Sequence, residues 1–346
     1  MKLALFTHLS WPENISQQDV FQGAVEQVQM AEASGYHSAW FAEHHFTRYS
    51  MGSSLGVILG YMAAATKNIR LGTGVIVPVL HNPIRVAEDT ATVDLLSGGR
   101  LDVGFGRGVY SYEYGGFGIP GENSQQRFRE SVLSVRDMWT KRPVSLDGEF
   151  YSFRNIDLVP SPVQKPHPPV YIAASRSPET LGFLVENEFL LCIAVVQDTS
   201  QALELVTRYK KLCKDFGRPS CMSEVPFFRY VHVAETEERA IASTKQHVEW
   251  IQDIMQWRRF LIDHTEVDRS ISDWRSERTE LPPSYEYVRD NRAFIGTPEQ
   301  VAEKISALKS EGIEYFGSNF AMAGLPQEEI LKSMRLFDEK VRPLIS

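Results

Sequence analysis

The sequence predicts one α/β domain spanning residues 1–346, a single (β/α)8 TIM barrel with inserted loops. Three observations carry that prediction. Short apolar runs alternate repeatedly with segments of helical periodicity. Composition holds steady along the chain, at 43% hydrophobic and 23% charged overall, with no repeat or biased stretch to mark a linker. A chain of 346 residues also suits one barrel with enlarged loops, a typical barrel having about 250. A doubly wound sheet is the rival arrangement for the same alternation.

The first strand is expected at residues 2–7, an apolar run that ends in a polar loop. Residues 17–34 place Val20, Phe21, Ala24, Val28 and Ala31 at helical spacing, and Gly35 stops the helix. A second strand at 37–42 leads to a Gly- and Ala-rich helix at 53–66, whose small side chains permit close packing, including against a second subunit. Strand three is read at 70–77, its helix at 83–96, and strand four at 100–105. A glycine- and tyrosine-rich loop precedes a helix at 124–140, and 143–153 reads as a hairpin turned by Asp147-Gly148. The fifth strand, 169–173, is followed by a helix from Pro178. The sixth, 189–195, is followed by a helix at 200–216, and the seventh, 224–233, by a long helix at 237–264. Residues 265–293 break the rhythm, being charged, weakly periodic and interrupted by Pro282-Pro283. A helix at 298–308, an eighth strand at 314–318 and a helix at 326–341 opening on proline complete the pattern.

Bulk properties exclude several functions. A net charge of −8 with no basic run argues against a nucleic-acid partner. The apolar run at 3–6 is too short for a secretory core or a membrane span. Three cysteines (Cys192, Cys213, Cys221) make neither a disulfide framework nor a zinc site, so a reducing cytoplasm is expected.

A barrel carries its chemistry on the loops after its strands. Strand two runs straight into Glu43-His44-His45-Phe46, which sets a carboxylate and two imidazoles at the barrel mouth. Histidine titrates nearest neutrality and suits proton transfer there. Packed or merely solvated imidazoles are the alternative, and no helical zinc motif is present, so no metal is expected. The loop after strand four, Gly104-Phe105-Gly106-Arg107-Gly108-Val109-Tyr110, offers close backbone approach and a fixed cation suited to phosphate. Its spacing is wrong for a dinucleotide fingerprint, and a tight turn with a surface arginine also explains it. After strand five, Ala174-Ser175-Arg176-Ser177-Pro178-Glu179-Thr180 leads hydroxyls and an arginine into a helix start, an anion site unless Ser177 is only a cap.

Taken in order, Glu43-His44-His45-Phe46, Ala87-Glu88-Asp89, the run from Leu95 to Arg100, Arg107-Gly108-Val109-Tyr110 and Gly296-Thr297-Pro298-Glu299 resemble the bacterial luciferase-like flavin monooxygenases. The resemblance covers essentially the whole chain, and within that family it is nearest to the catalytic α chain of luciferase. It implies FMN, used as FMNH2, that reacts with O2 through a flavin C4a-(hydro)peroxide to oxygenate a small apolar or amphipathic substrate. NAD(P)H would act only through a separate flavin reductase, and a homodimer is expected. The resemblance makes His44 the active-site histidine, flanked by Glu43 and His45. It assigns Gly74-Val75 to a cis peptide under the flavin, Arg107 to the phosphate and residues 175–180 to a second phosphate loop. Gly106 and Tyr110 belong to the same cofactor loop, Gly106 standing where luciferase has cysteine, and Ala174 opens the phosphate loop. Residues 265–293 match a mobile lid. Gln125 stands where the family has a phosphate-binding arginine, with Arg127 and Arg129 a turn away as the candidates for that role, and Ala42 and Ala194 stand where luciferase has bulkier pocket residues, which leaves a long-chain aldehyde substrate and light emission open. A deazaflavin-dependent dehydrogenase on the same fold and a non-catalytic flavin-binding subunit are the alternatives.

Overall fold

The computed structural model describes residues 1–174, 178–218, 224–261 and 271–345. The chain alternates strand and helix from its start: β1 (Lys2–Thr7), α1 (Gln17–Ala33), β2 (Ser38–Phe41), α2 (Leu55–Ala65), β3 (Arg70–Ile76), α3 (Pro83–Leu96) and β4 (Leu101–Phe105). Ser16 and Asn82 start α1 and α3 by accepting main-chain N–H bonds at their first turns, as short polar side chains do at helix N-termini. Two helices, α4 (Ser111–Gly116) and α5 (Ser124–Thr140), then precede an antiparallel hairpin of β5 (Val144–Asp147) and β6 (Ser152–Ile156). Alternation resumes with β7 (Val170–Ala173), α6 (Pro178–Glu186), β8 (Leu190–Cys192), α7 (Thr199–Asp215), β9 (Pro226–Val233) and α8 (Glu237–Trp257). The last part comprises α9 (Ile271–Glu277), α10 (Tyr285–Asn291), β10 (Ala293–Gly296), α11 (Pro298–Ser310), β11 (Tyr315–Asn319), α12 (Gln327–Leu336) and α13 (Arg342–Ile345).

Nine strands form one parallel sheet in the order β10-β9-β11-β1-β2-β3-β4-β7-β8. The sheet curls. A parallel bridge between Ile193 and Phe227 ties the β8 end back to β9, with Ile193 N–H donating to the Pro226 carbonyl at 3.0 Å. Side chains alternate across the strands, so one set faces inward and the other packs under the helices. The inward set is aromatic. Trp40 of β2 meets Tyr171 of β7 edge-on at 5.0 Å and Phe228 of β9 at 5.7 Å, and its indole N–H donates to Ser38 at 2.7 Å. Gly72 of β3 makes room for that indole, since a Cβ there would come within 2.2 Å of the Trp40 ring.

Three expectations need correction. The hairpin turns through residues 148–151, with Asp147 paired to Ser152, because Glu130 of α5 accepts the main-chain N–H groups of Glu149, Phe150 and Tyr151 and holds a wider loop open. The long helix expected at 237–264 stops at Trp257, and residues 262–264 lie outside the described residues. The stretch expected to be irregular at 265–293 is helical over α9 and α10, and Ala293 opens a ninth strand paired with β9; residues 265–270 of that expectation lie outside the described residues. Helix α9 is fixed to α8 by Arg275 on the buried Asp253 and by Trp274 stacked on Trp257 at 5.9 Å. No described helix is long and apolar enough to cross a membrane.

Candidate active site

The strands end around a cavity of about 190 Å³, lined from β1, β3, β7, β8 and β9 and from the loops after β2 and β4. Its wall includes Glu43, His44, Gly74, Val75 and Tyr110 of the residues singled out from the sequence, together with the small Ala42 and Ala194. The peptide between Gly74 and Val75 is cis.

Each charged group here is held by its neighbours. Glu43 is buried, with one oxygen 2.9 Å from Nε2 of His45 and 2.6 Å from Nε2 of His81. Its other oxygen accepts the Val77 N–H at 3.1 Å, which pins the loop after β2 to the end of β3. Burial works to raise this carboxyl, yet the bonds from His45 and His81 outweigh it and bring the pKa down to about 2. The same contacts raise His81 against the effect of its own burial. The three ligand atoms lie within 4.8 Å of one another, near enough to share an ion, but both imidazoles already sit at hydrogen-bond distance from one carboxylate oxygen.

His44 is the ring that faces the cavity, with its side chain 21% exposed. Its Nδ1 lies 2.8 Å from Nη2 of Arg258 and 3.1 Å from Oε1 of Glu113. A guanidinium only donates, so the shorter contact makes Nδ1 the acceptor and leaves the proton of the neutral ring on Nε2. Burial and then the charge of Arg258 lower the pKa of His44, in keeping with a neutral ring. Glu113, also buried, accepts the His45 N–H at 3.1 Å; burial opposes its charge, but Arg258 and that N–H keep its pKa below the ordinary value. Behind them His8 contacts Tyr49 Oη and Asn319 at 3.1 Å each, and burial, with the charge of Arg258, holds it well below the usual histidine range.

None of the remaining sequence candidates that fall within the described residues lines this cavity. His45 is buried behind the loop as a partner of Glu43. Gly106 is buried at the end of β4, where a Cβ would come within 2.5 Å of Val75 Cγ2. Arg107 is exposed, donates to Ser124 Oγ at 3.0 Å and has no carboxylate partner among the described residues. Ala174 and Thr180 are buried, and Ser175, Arg176 and Ser177 lie outside the described residues. Sequence reasoning missed Arg258, Glu113, Tyr49, Tyr112, His8 and His81. The run Tyr110-Ser111-Tyr112-Glu113-Tyr114 was the available signal for two of them; an arginine at the end of a helix gives none.

Comparison with known proteins supplies the context for this geometry. A family model described as luciferase-like monooxygenase matches residues 1–315. The oxygenase component of a flavin-dependent trigonelline monooxygenase from Acinetobacter baylyi is 28% identical, over 100% of this chain and 96% of that protein. An alkanal monooxygenase alpha chain from Photorhabdus luminescens is 23% identical, over 100% and 97%. Among solved structures, the monooxygenase RslO1 from Streptomyces bottropensis superposes with a TM-score of 0.86 at 24% identity, covering 100% of both chains, which shows a shared fold.

Proposed function

Because the chain belongs to the luciferase-like monooxygenase family, we propose that it is the oxygenase component of a two-component, FMNH2-dependent monooxygenase acting on a small apolar or amphipathic molecule. The observation that carries this reading is His44, presented to a strand-end cavity as a neutral ring with its Nδ1 held by Arg258. The residues present fit a flavin phosphate at the mouth, where Arg107 is a permanent cation with no carboxylate partner among the described residues. Gly74, Val75 and Tyr110 would hold the ring end of FMN. Arg107, Ala174, Ser175, Arg176, Ser177 and Thr180 would hold its phosphate end, and Gly106 keeps Val75 in place. Reduced FMN, when bound, supplies the electrons that activate O2.

The chain's own residues do the rest. His44 donates its Nε2 proton toward the cavity and recovers it as general acid and base. Glu43, braced by His45 and His81, holds the loop that carries it. Phe6, Val75, Val195 and Phe228 give the cavity walls that exclude water. In this reading the curled sheet is a closed (β/α)8 barrel with β10 as an addition, and α9 and α10 belong to a lid over its mouth.

The relative named as an oxygenase component supports a separate NAD(P)H:flavin reductase as partner. The exposed side chains of Val57 and Tyr61 on α2 and Phe21 on α1 suit a homodimer interface. Both the protein and its reductase then operate in the cytoplasm. The test mixes protein and anaerobic FMNH2 with oxygenated buffer, without organic substrate. The protein should delay the return of oxidised-FMN absorbance; the same rate with and without protein would overturn the reading.

A further inference from the structure

Behind the catalytic loop lies a buried cation whose hydrogen bonding is incomplete. Arg258 follows the last turn of α8, and its side chain is 0% exposed. Its guanidinium carbon lies 4.1 Å from the Tyr49 ring centre and 3.9 Å from that of Tyr110. Nε–H donates to Tyr112 Oη at 2.7 Å, and Nη2 serves His44 at 2.8 Å and Glu113 at 3.4 Å. The other terminal nitrogen, Nη1, is buried and has no hydrogen-bond partner among the described residues. Arg258 is at the same time part of the cavity wall.

A buried donor on a permanent charge is costly to leave unmade, and an acceptor that meets it recovers that cost. Glu113 does not claim Nη1, since its Oε1 is shared among the His45 N–H, the Tyr112 hydroxyl and Nη2. The Tyr49 and Tyr110 rings lie against the guanidinium and restrict its movement.

We propose that Nη1 of Arg258 is an anion subsite, and that the organic substrate carries a carboxylate which this nitrogen takes up beside His44. The proposal rests on the monooxygenase reading above and names its substrate class. Ala42 and Ala194 give the body of such a substrate room, while Phe6, Val75 and Val195 make its surroundings apolar. The fitting ligand is therefore a short carboxylate with a compact apolar or aromatic body. A charge-assisted bond of this kind separates a carboxylate from its uncharged isostere by about tenfold or more.

The test uses calorimetry on the full-length protein, titrated with sodium benzoate and with benzamide, of like shape but without charge. Wild type should bind benzoate about tenfold more tightly, with saturating FMN present as well as without it. Arg258→Met should abolish the preference. If the lone carboxylate of Glu113 prevents that variant from folding, the double variant Arg258→Met/Glu113→Gln removes both charges and should behave the same way. Arg107→Ala should leave the preference intact. Equal binding of the two probes, a preference that survives loss of Arg258, a preference lost with Arg107, or displacement of benzoate by FMN would each overturn the subsite. Because these titrations need no turnover, they can fail while the delayed flavin reoxidation succeeds, and the reverse.

Discussion

His44 sits between a permanent donor and a carboxylate, and this placement dictates what the ring can do. With Nδ1 accepting from Arg258, a neutral imidazole offers Nε2–H, so the cavity meets a donor at rest. His44→Ala removes that donor while leaving Glu113 its bonds from the His45 N–H and Tyr112. The variant should fold and bind FMN nearly as wild type, and oxygenate about 10²-fold more slowly; full activity in a folded variant would remove His44 from the mechanism. Burial and Arg258 lower its pKa from the ordinary 6.5, so the rate step that needs the neutral ring should be level above that pH and fall only below it. His44 was legible in the sequence because ionisable residues at a strand's C-terminal end point to the barrel mouth. Arg258 was not. Its side chain reaches the site only because α8 ends against the loops after β2 and β4, a tertiary fact without a local signature.

At the scale of elements, the end of β4 and the end of β3 are fitted to each other. Gly106 N–H donates to the Ile76 carbonyl at 2.9 Å, and the missing side chain leaves room for Val75. Gly106→Ala would drive a methyl group to 2.5 Å from Val75 Cγ2, a branched side chain in the cavity wall that cannot swing aside cheaply. We expect a loss of about 1–3 kcal/mol in stability from overpacking, with weaker FMN binding. Denaturant titration and flavin fluorescence read the two effects separately, and wild-type values in both would show that Val75 moves freely. Strands such as β3 and β4 were readable as apolar runs between turn residues. β10 was not, because its four residues, Ala293–Gly296, follow a charged, proline-bearing stretch and gain their strand form only by pairing with β9.

Over the whole molecule, burial of histidine in neutral form sets the response to acid. Burial lowers the pKa of His8, His37, His44, His232 and His247, and positive neighbours add to the effect at the first four. The unfolded chain takes up protons at these positions near the ordinary 6.5, which the fold refuses, so stability must fall as pH drops below that value. His81 has the opposite sign: its raised pKa contributes stability below 6.5 that is lost as pH rises through its folded value. One residue against five leaves the balance acid-labile, and Glu43 adds to it below 4.5, where protonation begins to remove the stability its pKa of about 2 supplies. His232, buried on β9 with its Nδ1 unpartnered among the described residues, is the clearest contributor, since burial and then His247 and Arg239 bring its pKa to about 4. By linkage that single ring costs the fold about 3 kcal/mol once the pH has fallen to its folded value. Tm measured from about pH 8 down to about pH 4 should therefore fall steeply through the histidine range. His232→Asn, which carries no proton to refuse, should make that fall shallower whatever it does to Tm at the alkaline end. An unchanged slope in this variant would mean that β9 admits the imidazolium or water to its buried face, and that acid lability originates in the His8 and His44 cluster instead.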